Sequence, residues 1–282
     1  MFSKVWNRVC VAGCVAIAVI VILAGIPSSA EAAQAGIPRM DNGRPNLQGI
    51  WQVRNRAADG LEAHPAAYGI LPGDSVLADG GTIPYQPAAL GQRNENFRNR
   101  VDADPLNECY LPGVPRIMYM EHPFQIFQSP DHIAMTFEWS LAYRLIYTNG
   151  EEQPYPGIPF WMGDSRGRWE GDTLVVDVRD HNDKTWFDKS GNFHSDQMTL
   201  EERYTMVDAD TITYEVTVTD PAVFTEPWTI RMPLYRHKDM TRVLEYHCQA
   251  EREEFNGDFE RHPETWYPRP GQTGPEIPEF DD

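Results

Sequence analysis

The densest concentration of groups able to move protons lies between residues 180 and 203. Asp180-His181-Asn182-Asp183-Lys184-Thr185-Trp186-Phe187-Asp188 is followed by Phe193-His194-Ser195-Asp196 and then Glu201-Glu202-Arg203. General acid–base work needs neighbouring titratable groups whose pKa values are pushed apart, and imidazole beside carboxylate supplies them. On this reading His194 is the acid/base, with Asp183 or Glu202 orienting it. Strand parity singles out Glu202, because Met198, Leu200, Tyr204 and Met206 share its face. A carboxylate on an apolar face must be paired or neutral. Arg236 has the inward parity to be that partner, whereas Arg231 alternates outward. The competing reading is structural: Asp and Asn capping turns, and Glu202 in an ion pair that holds the fold.

Other chemistries are less well served. His181 and Asp183 lie on one face of an extended segment, and His194 would complete a three-ligand open metal site. No H-x-x-x-H and no cysteine cluster supports it, and His122, His132, His237, His247 and His262 are scattered, so no metal is expected. Ser195 follows His194 directly, yet no G-x-S-x-G places a nucleophile. No glycine-rich phosphate loop follows a strand, so no cofactor is expected. Aromatic side chains are plentiful, with Trp139, Tyr143, Trp161, Trp186, Tyr214 and Trp228 as examples. Facing inward they would line an apolar ligand pocket or simply fill a core. Facing outward they would stack on sugars, and Asp183 with Glu202 would then suit a glycosidase.

The elements that must position these groups are strands. Alternation marks 123–128, 132–139, 141–147, 173–180, 198–206, 211–220, 228–236 and 242–248, with Leu47–Val53 as an early strand. Thr211–Asp220 alternates most cleanly, with Ile212, Tyr214, Val216 and Val218 on one face and threonines and Glu215 on the other. Asp164-Ser165-Arg166 and Gly167–Asp172 read as turns. The 21 Gly and 23 Pro suit tight turns between strands better than a helical bundle. An antiparallel sheet of about eight to ten strands would leave two open edges, and closure into a barrel removes them while leaving room for one small ligand. Residues 34–115 read as a long irregular arm or lid around the first strand, with a helical stretch at 87–100. Residues 52–115 would also suit contact with a second copy. Residues 116–254 form the barrel, and 255–282 an acidic, proline-rich tail.

Residues 1–33 have the layout of a secretory signal peptide: Lys4 and Arg8, an apolar run from Val15 to Ile26, then small residues. That run falls short of the ~20 apolar residues a membrane span needs. The mature chain is expected in the periplasm or outside the cell. Export leaves two cysteines, Cys109 and Cys248, in an oxidising compartment, and they are expected to pair. The chain carries 24 Lys+Arg against 42 Asp+Glu, a formal net charge of −18. Nucleic acid and anionic membrane surfaces would repel it, while a solvated acidic surface accounts for the excess.

Two resemblances add to this. Gly49-Ile50-Trp51 resembles the G-x-W of the lipocalin (calycin) superfamily. That resemblance implies an up-and-down barrel with the Trp at one end and an Arg from a late strand, Arg236 or Arg242, packed on it. Much of the chain is also similar to a broad group of secreted bacterial proteins. The shared stretches include Gly81–Tyr85, Cys109–Arg116, Pro123–Ile126, Gly167–Asp177, Asn182–Trp186, His194-Ser195 and Asp220-Pro221. The expectation is an all-β, antiparallel lipocalin-like barrel that holds a small, largely apolar or aromatic molecule in an internal pocket. The alternatives are a lyase- or isomerase-type acid–base enzyme (hydratase, dehydratase, isomerase or cyclase) on the same barrel, or a glycan-binding or structural envelope protein.

Overall fold

The computed structural model describes residues 36–67 and 70–255. The expected signal peptide and nearly all of the expected tail lie outside the described residues. Nine strands, β1 (Gly49–Gln52), β2 (Phe124–Gln128), β3 (His132–Phe137), β4 (Tyr143–Tyr147), β5 (Asp164–Glu170), β6 (Thr173–Arg179), β7 (Thr199–Asp208), β8 (Thr211–Thr219) and β9 (Trp228–Arg236), form a closed barrel in sequence order. β9 closes onto β1 through Trp51↔Arg236 and Gln52↔Tyr235. Every neighbouring pair is antiparallel except β4 and β5, which run parallel. Alternation delivers the core: Leu174, Val176 and Val178 on β6 and Ile212, Tyr214, Val216 and Val218 on β8 are wholly buried. Each such aliphatic side chain contributes ~1.5–3 kcal/mol on burial. Met118 and Tyr119, from the short helical turn before β2, are also buried in this core.

Trp51 is fully buried, and its indole N–H donates to Leu47 O at 2.9 Å. The Arg236 guanidinium lies 4.2 Å from the ring centroid and donates to Gln48 O at 2.6 Å. Gly49 has φ +140°, and a Cβ there would stand 2.0 Å from Arg236 Nη1. The glycine of the G-x-W is therefore what lets the arginine reach the tryptophan. Arg236 is spent on this contact, so the expectation that it pairs with Glu202 is corrected.

Two sequence expectations about elements are also corrected. Asp164–Arg166 opens β5 rather than forming a turn. Its buried position is Ser165, beside the half-buried Gly167, so the strand lacks an apolar face to advertise it. Gly167 has no room for a side chain, since a Cβ would come within 2.8 Å of Ile146. Residues 242–248 form no strand of the barrel. Cys248 instead opens the helix α2 (Cys248–Phe255), preceded by α1 (Pro87–Ala103) earlier in the chain. Cys109 and Cys248 form the expected disulfide, with Cα atoms 5.5 Å apart. It fastens α2 to the arm, and closing a loop of this length is worth ~4–5 kcal/mol in the chain-entropy picture.

The arm wraps the barrel. Ala78 N donates to Thr229 O, Arg231 N to Val76 O, and Gln86 N to Val223 O, at 2.8–2.9 Å. Leu61, Val76, Leu77 and Ile83 join the main core. A bidentate ion pair between Arg116 and Asp104, buried at 1% and 2% exposure, anchors the arm's end. Among the described residues, no helix is long and apolar enough to cross a membrane.

Candidate functional site

The residues between β6 and β7 fold as a layered loop, and they do not gather the expected catalytic group into one hydrogen-bonded set. His194 is buried. Its Nδ1 faces Ser195 O at 2.9 Å, and its Nε2 lies 2.7 Å from Thr185 Oγ1. A carbonyl only accepts, so Nδ1 carries the proton and Nε2 accepts from the threonine hydroxyl. Burial holds His194 below the usual imidazole range, partly offset by the Ser195 carbonyl and the charges of Asp220 and Asp183. Asp183 itself is exposed. Ser195 is a structural cap: its N–H and hydroxyl donate to Asp220 at 2.6 and 2.8 Å.

His181 differs from its neighbour. It is 1% exposed, and neither ring nitrogen has a hydrogen-bond partner. Burial drives its pKa down to about 3, with the charges of His194 and Arg144 acting the same way. The rings of His181 and His194 meet edge-on at 5.9 Å. Among the described residues, no group of three or more His, Cys, Asp or Glu is placed to hold a metal.

Glu202 lies inside the barrel at 0% exposure, as its parity required, and its partner is Arg144 on β4. Arg144 Nη1 donates to Glu202 Oε1 at 3.0 Å, and Nη2 makes a second, very short contact to Oε2. Tyr204 and Tyr214 add hydroxyl donors to Oε1 at 3.0 and 2.7 Å. Arg144 Nε and Nη2 also donate to Ser165 Oγ at 3.0 and 2.9 Å. Burial opposes the Arg144 charge, but Glu202 and the two phenols outweigh it and raise the pKa. Burial, then the Glu202 charge, pushes both tyrosines well above their ordinary value, so they remain donors. This is a fully satisfied network of the kind that fixes a core.

The barrel wall opens immediately outside that network. β4 and β5 share only the register pairs Ile146↔Ser165 and Tyr147↔Arg166. By contrast β7 and β8 pair along nearly their whole length. The C-terminal end of β4 thus pairs with the N-terminal end of β5, the first half of β4 parts from the segment that leads into β5, and a groove of about 530 Å³ lies between them. Arg144 and Ser165 line its inner side, and Leu141, Tyr143, Tyr155, Phe160 and Trp161 its outer part. Tyr143 is 76% exposed and Tyr155 65%. Trp161 stacks on Tyr110 with centroids 5.0 Å apart and planes 8° from parallel. Gln153 also lines the groove, and its buried Nε2 has no hydrogen-bond partner. Gly163 belongs to the same lining; a Cβ on it would stand 2.7 Å from His181 Cε1, which places His181 directly behind the groove wall.

Of the aromatic candidates, Trp161 and Tyr143 line this groove. Tyr214 is in the barrel interior, hydrogen-bonded to Glu202. Trp228 packs with Phe187 and Phe224 at centroid distances of 5.4 and 5.3 Å. Trp186 is buried in the β6–β7 loop, and Trp139 packs on His122 and Tyr246. Sequence reasoning missed Arg144, Ser165, Gln153, Tyr155 and Phe160. Arg144 had a signal, because it shares the face of Ile146 just as Glu202 shares that of Tyr204.

Neither a family model nor a curated protein matches the chain.

Proposed function

We propose that the protein is an exported binder of a small, largely apolar molecule carrying an aromatic or conjugated ring and at least one acceptor oxygen. The carrying observation is the seam groove. Five large apolar side chains, Leu141, Tyr143, Tyr155, Ile158 and Phe160, remain exposed at or beside it, and exposed apolar patches of this kind mark binding surfaces. The ring would lie among Tyr143, Tyr155, Phe160 and Trp161. The acceptor oxygen would take the unpartnered Gln153 amide N–H, whose burial without a partner otherwise costs ~1–3 kcal/mol. The barrel interior holds the buried core cluster and the Arg144–Glu202 network, which supports the wall rather than the lumen as the binding place. The Gly49–Trp51–Arg236 contact supports kinship with lipocalin barrels, and the disulfide supports an oxidising compartment.

Native mass spectrometry of protein purified from its own cells should show a bound small molecule. In parallel, an anilinonaphthalene dye should bind the delipidated protein with one-to-one stoichiometry and quench Trp161. No retained molecule together with unchanged dye affinity in Trp161→Ala would overturn the proposal.

A further inference from the structure

A second cleft, of about 540 Å³, lies between the chain just after β1, His64 with residues 72–76, and β9. It shares no lining residue with the seam groove. Its charge runs against that of the whole chain. Arg54, Arg56 and Arg231 line it, and Asp74 is the single carboxylate among the lining residues. Such a concentration of guanidinium groups is uncommon on a surface where acids outnumber bases 42 to 24. From it we infer a binding site for a small oxyanion, either a phosphate ester or a polycarboxylate.

The three arginines are held to different degrees. Arg54 lies over the Tyr235 ring at 4.7 Å, which orients the guanidinium and leaves its edge N–H groups for an anion. Arg56 reaches Glu121 only at 4.0 Å. Arg231 already gives Nε and Nη2 to Glu215 at 2.6 Å, so its charge is paired and the anion would rest mainly on Arg54 and Arg56. A planar guanidinium fork matches the geometry of both carboxylate and phosphate oxygens.

His64 is the second observation. Both of its ring nitrogens are buried without a hydrogen-bond partner, although the residue lines the cleft. Two glycines make its place: a Cβ on Gly60 would come within 2.7 Å of the ring, and one on Gly73 within 2.9 Å. The backbone locks the same pair, with His64 N donating to Gly73 O and Gly73 N to His64 O, at 3.0 and 3.1 Å. Val76 N to Leu61 O and Arg231 N to Val76 O then tie the loop to β9. The ring thus lies at the edge of the cleft beside the arginines with its hydrogen-bonding capacity unused.

Isothermal titration of the intact protein with pyrophosphate and with citrate, each at low and high salt, tests the site. At least one anion should bind one-to-one, with affinity falling as salt rises. Binding of pyrophosphate alone assigns phosphate chemistry, and of citrate alone carboxylate chemistry; either supports the site. Arg54→Ala/Arg56→Ala should weaken binding at least tenfold while leaving the melting temperature unchanged, because both side chains are exposed. Arg54→Lys, which keeps the charge but not the fork, should give a smaller loss. No saturable binding of either anion, or equal binding by the double variant, overturns the inference. The seam groove is read separately through Trp161, so failure here leaves the apolar ligand untouched and the reverse also holds.

Discussion

The barrel interior and the seam groove use the same residue types in opposite ways. Inside, Tyr204 and Tyr214 are wholly buried, and each hydroxyl has found Glu202. At the seam, Tyr143 and Tyr155 stand 76% and 65% exposed, and the Gln153 amide beside them is unspent. A polar group that is buried and fully partnered has no capacity left for a ligand; one that is buried and unpartnered, or an aromatic left in water, has. Glu202, the more conspicuous residue in sequence, is therefore fully partnered inside the scaffold, and the groove outside it is where recognition is proposed. The parallel β4–β5 pair creates the difference, because two strands that overlap by only two residue pairs leave a stretch of wall that side chains must line.

Breaking the interior network should have the largest effect. Arg144→Ala strands the Glu202 carboxylate in the core and should cost ~3–5 kcal/mol in urea unfolding, whereas Arg144→Met combined with Glu202→Leu should recover most of it. A double variant as unstable as the single one would show that the network does more than satisfy itself.

Acid comes next, through His181. Its folded value of about 3 lies below the ~6.5 of the unfolded chain. Between those values the unfolded state binds more protons, so the linked stability is full above about pH 6.5 and drains away as the pH falls toward 3, at ~1.4 kcal/mol per pH unit. Asp188 works the other way. Burial, only partly countered by Asn192 and the Leu61 N–H, raises it to about 6. Its linked stability is full below about pH 4 and is lost as the pH rises through 6. His181→Leu should flatten the acid limb of a stability–pH profile, and Asp188→Asn should remove the opposing slope. An unchanged acid limb in His181→Leu would show that this histidine is not a buried neutral ring.

Smaller effects sharpen the seam. Trp161→Ala should weaken binding of the apolar dye by about tenfold, ~1.4 kcal/mol, with stability nearly preserved. Tyr143→Thr is the mildest: its exposure predicts a stability change within ~0.5 kcal/mol and a two- to threefold loss of dye affinity. A large loss of stability in Tyr143→Thr would erase the distinction between wall and core.

Much of the barrel could be read before any coordinates. The Thr211–Thr219 alternation, the inward parity of Glu202, the Gly49-x-Trp51 step and the Cys109–Cys248 pair all stand in the structure. Local pattern reports these because each depends on which face a residue occupies, and a strand fixes that at a period of two. The site was less legible. β5 has Ser165 and Gly167 where apolar residues would announce a strand, and the reason for each lies on β4, in Arg144 and Ile146. Parity gave Glu202 an inward face, but nothing along the chain says that Arg144, 58 positions away, is what it meets.

The sequence by itself determined a β-rich chain with its apolar faces assigned, a buried carboxylate in need of a cation, and one cross-link. Only the tertiary structure decided that Arg144 rather than Arg236 answers Glu202, and that the wall parts between β4 and β5. Those are outcomes of strand order and register around a closed sheet, which depend on contacts between distant segments and leave no periodic trace along the chain.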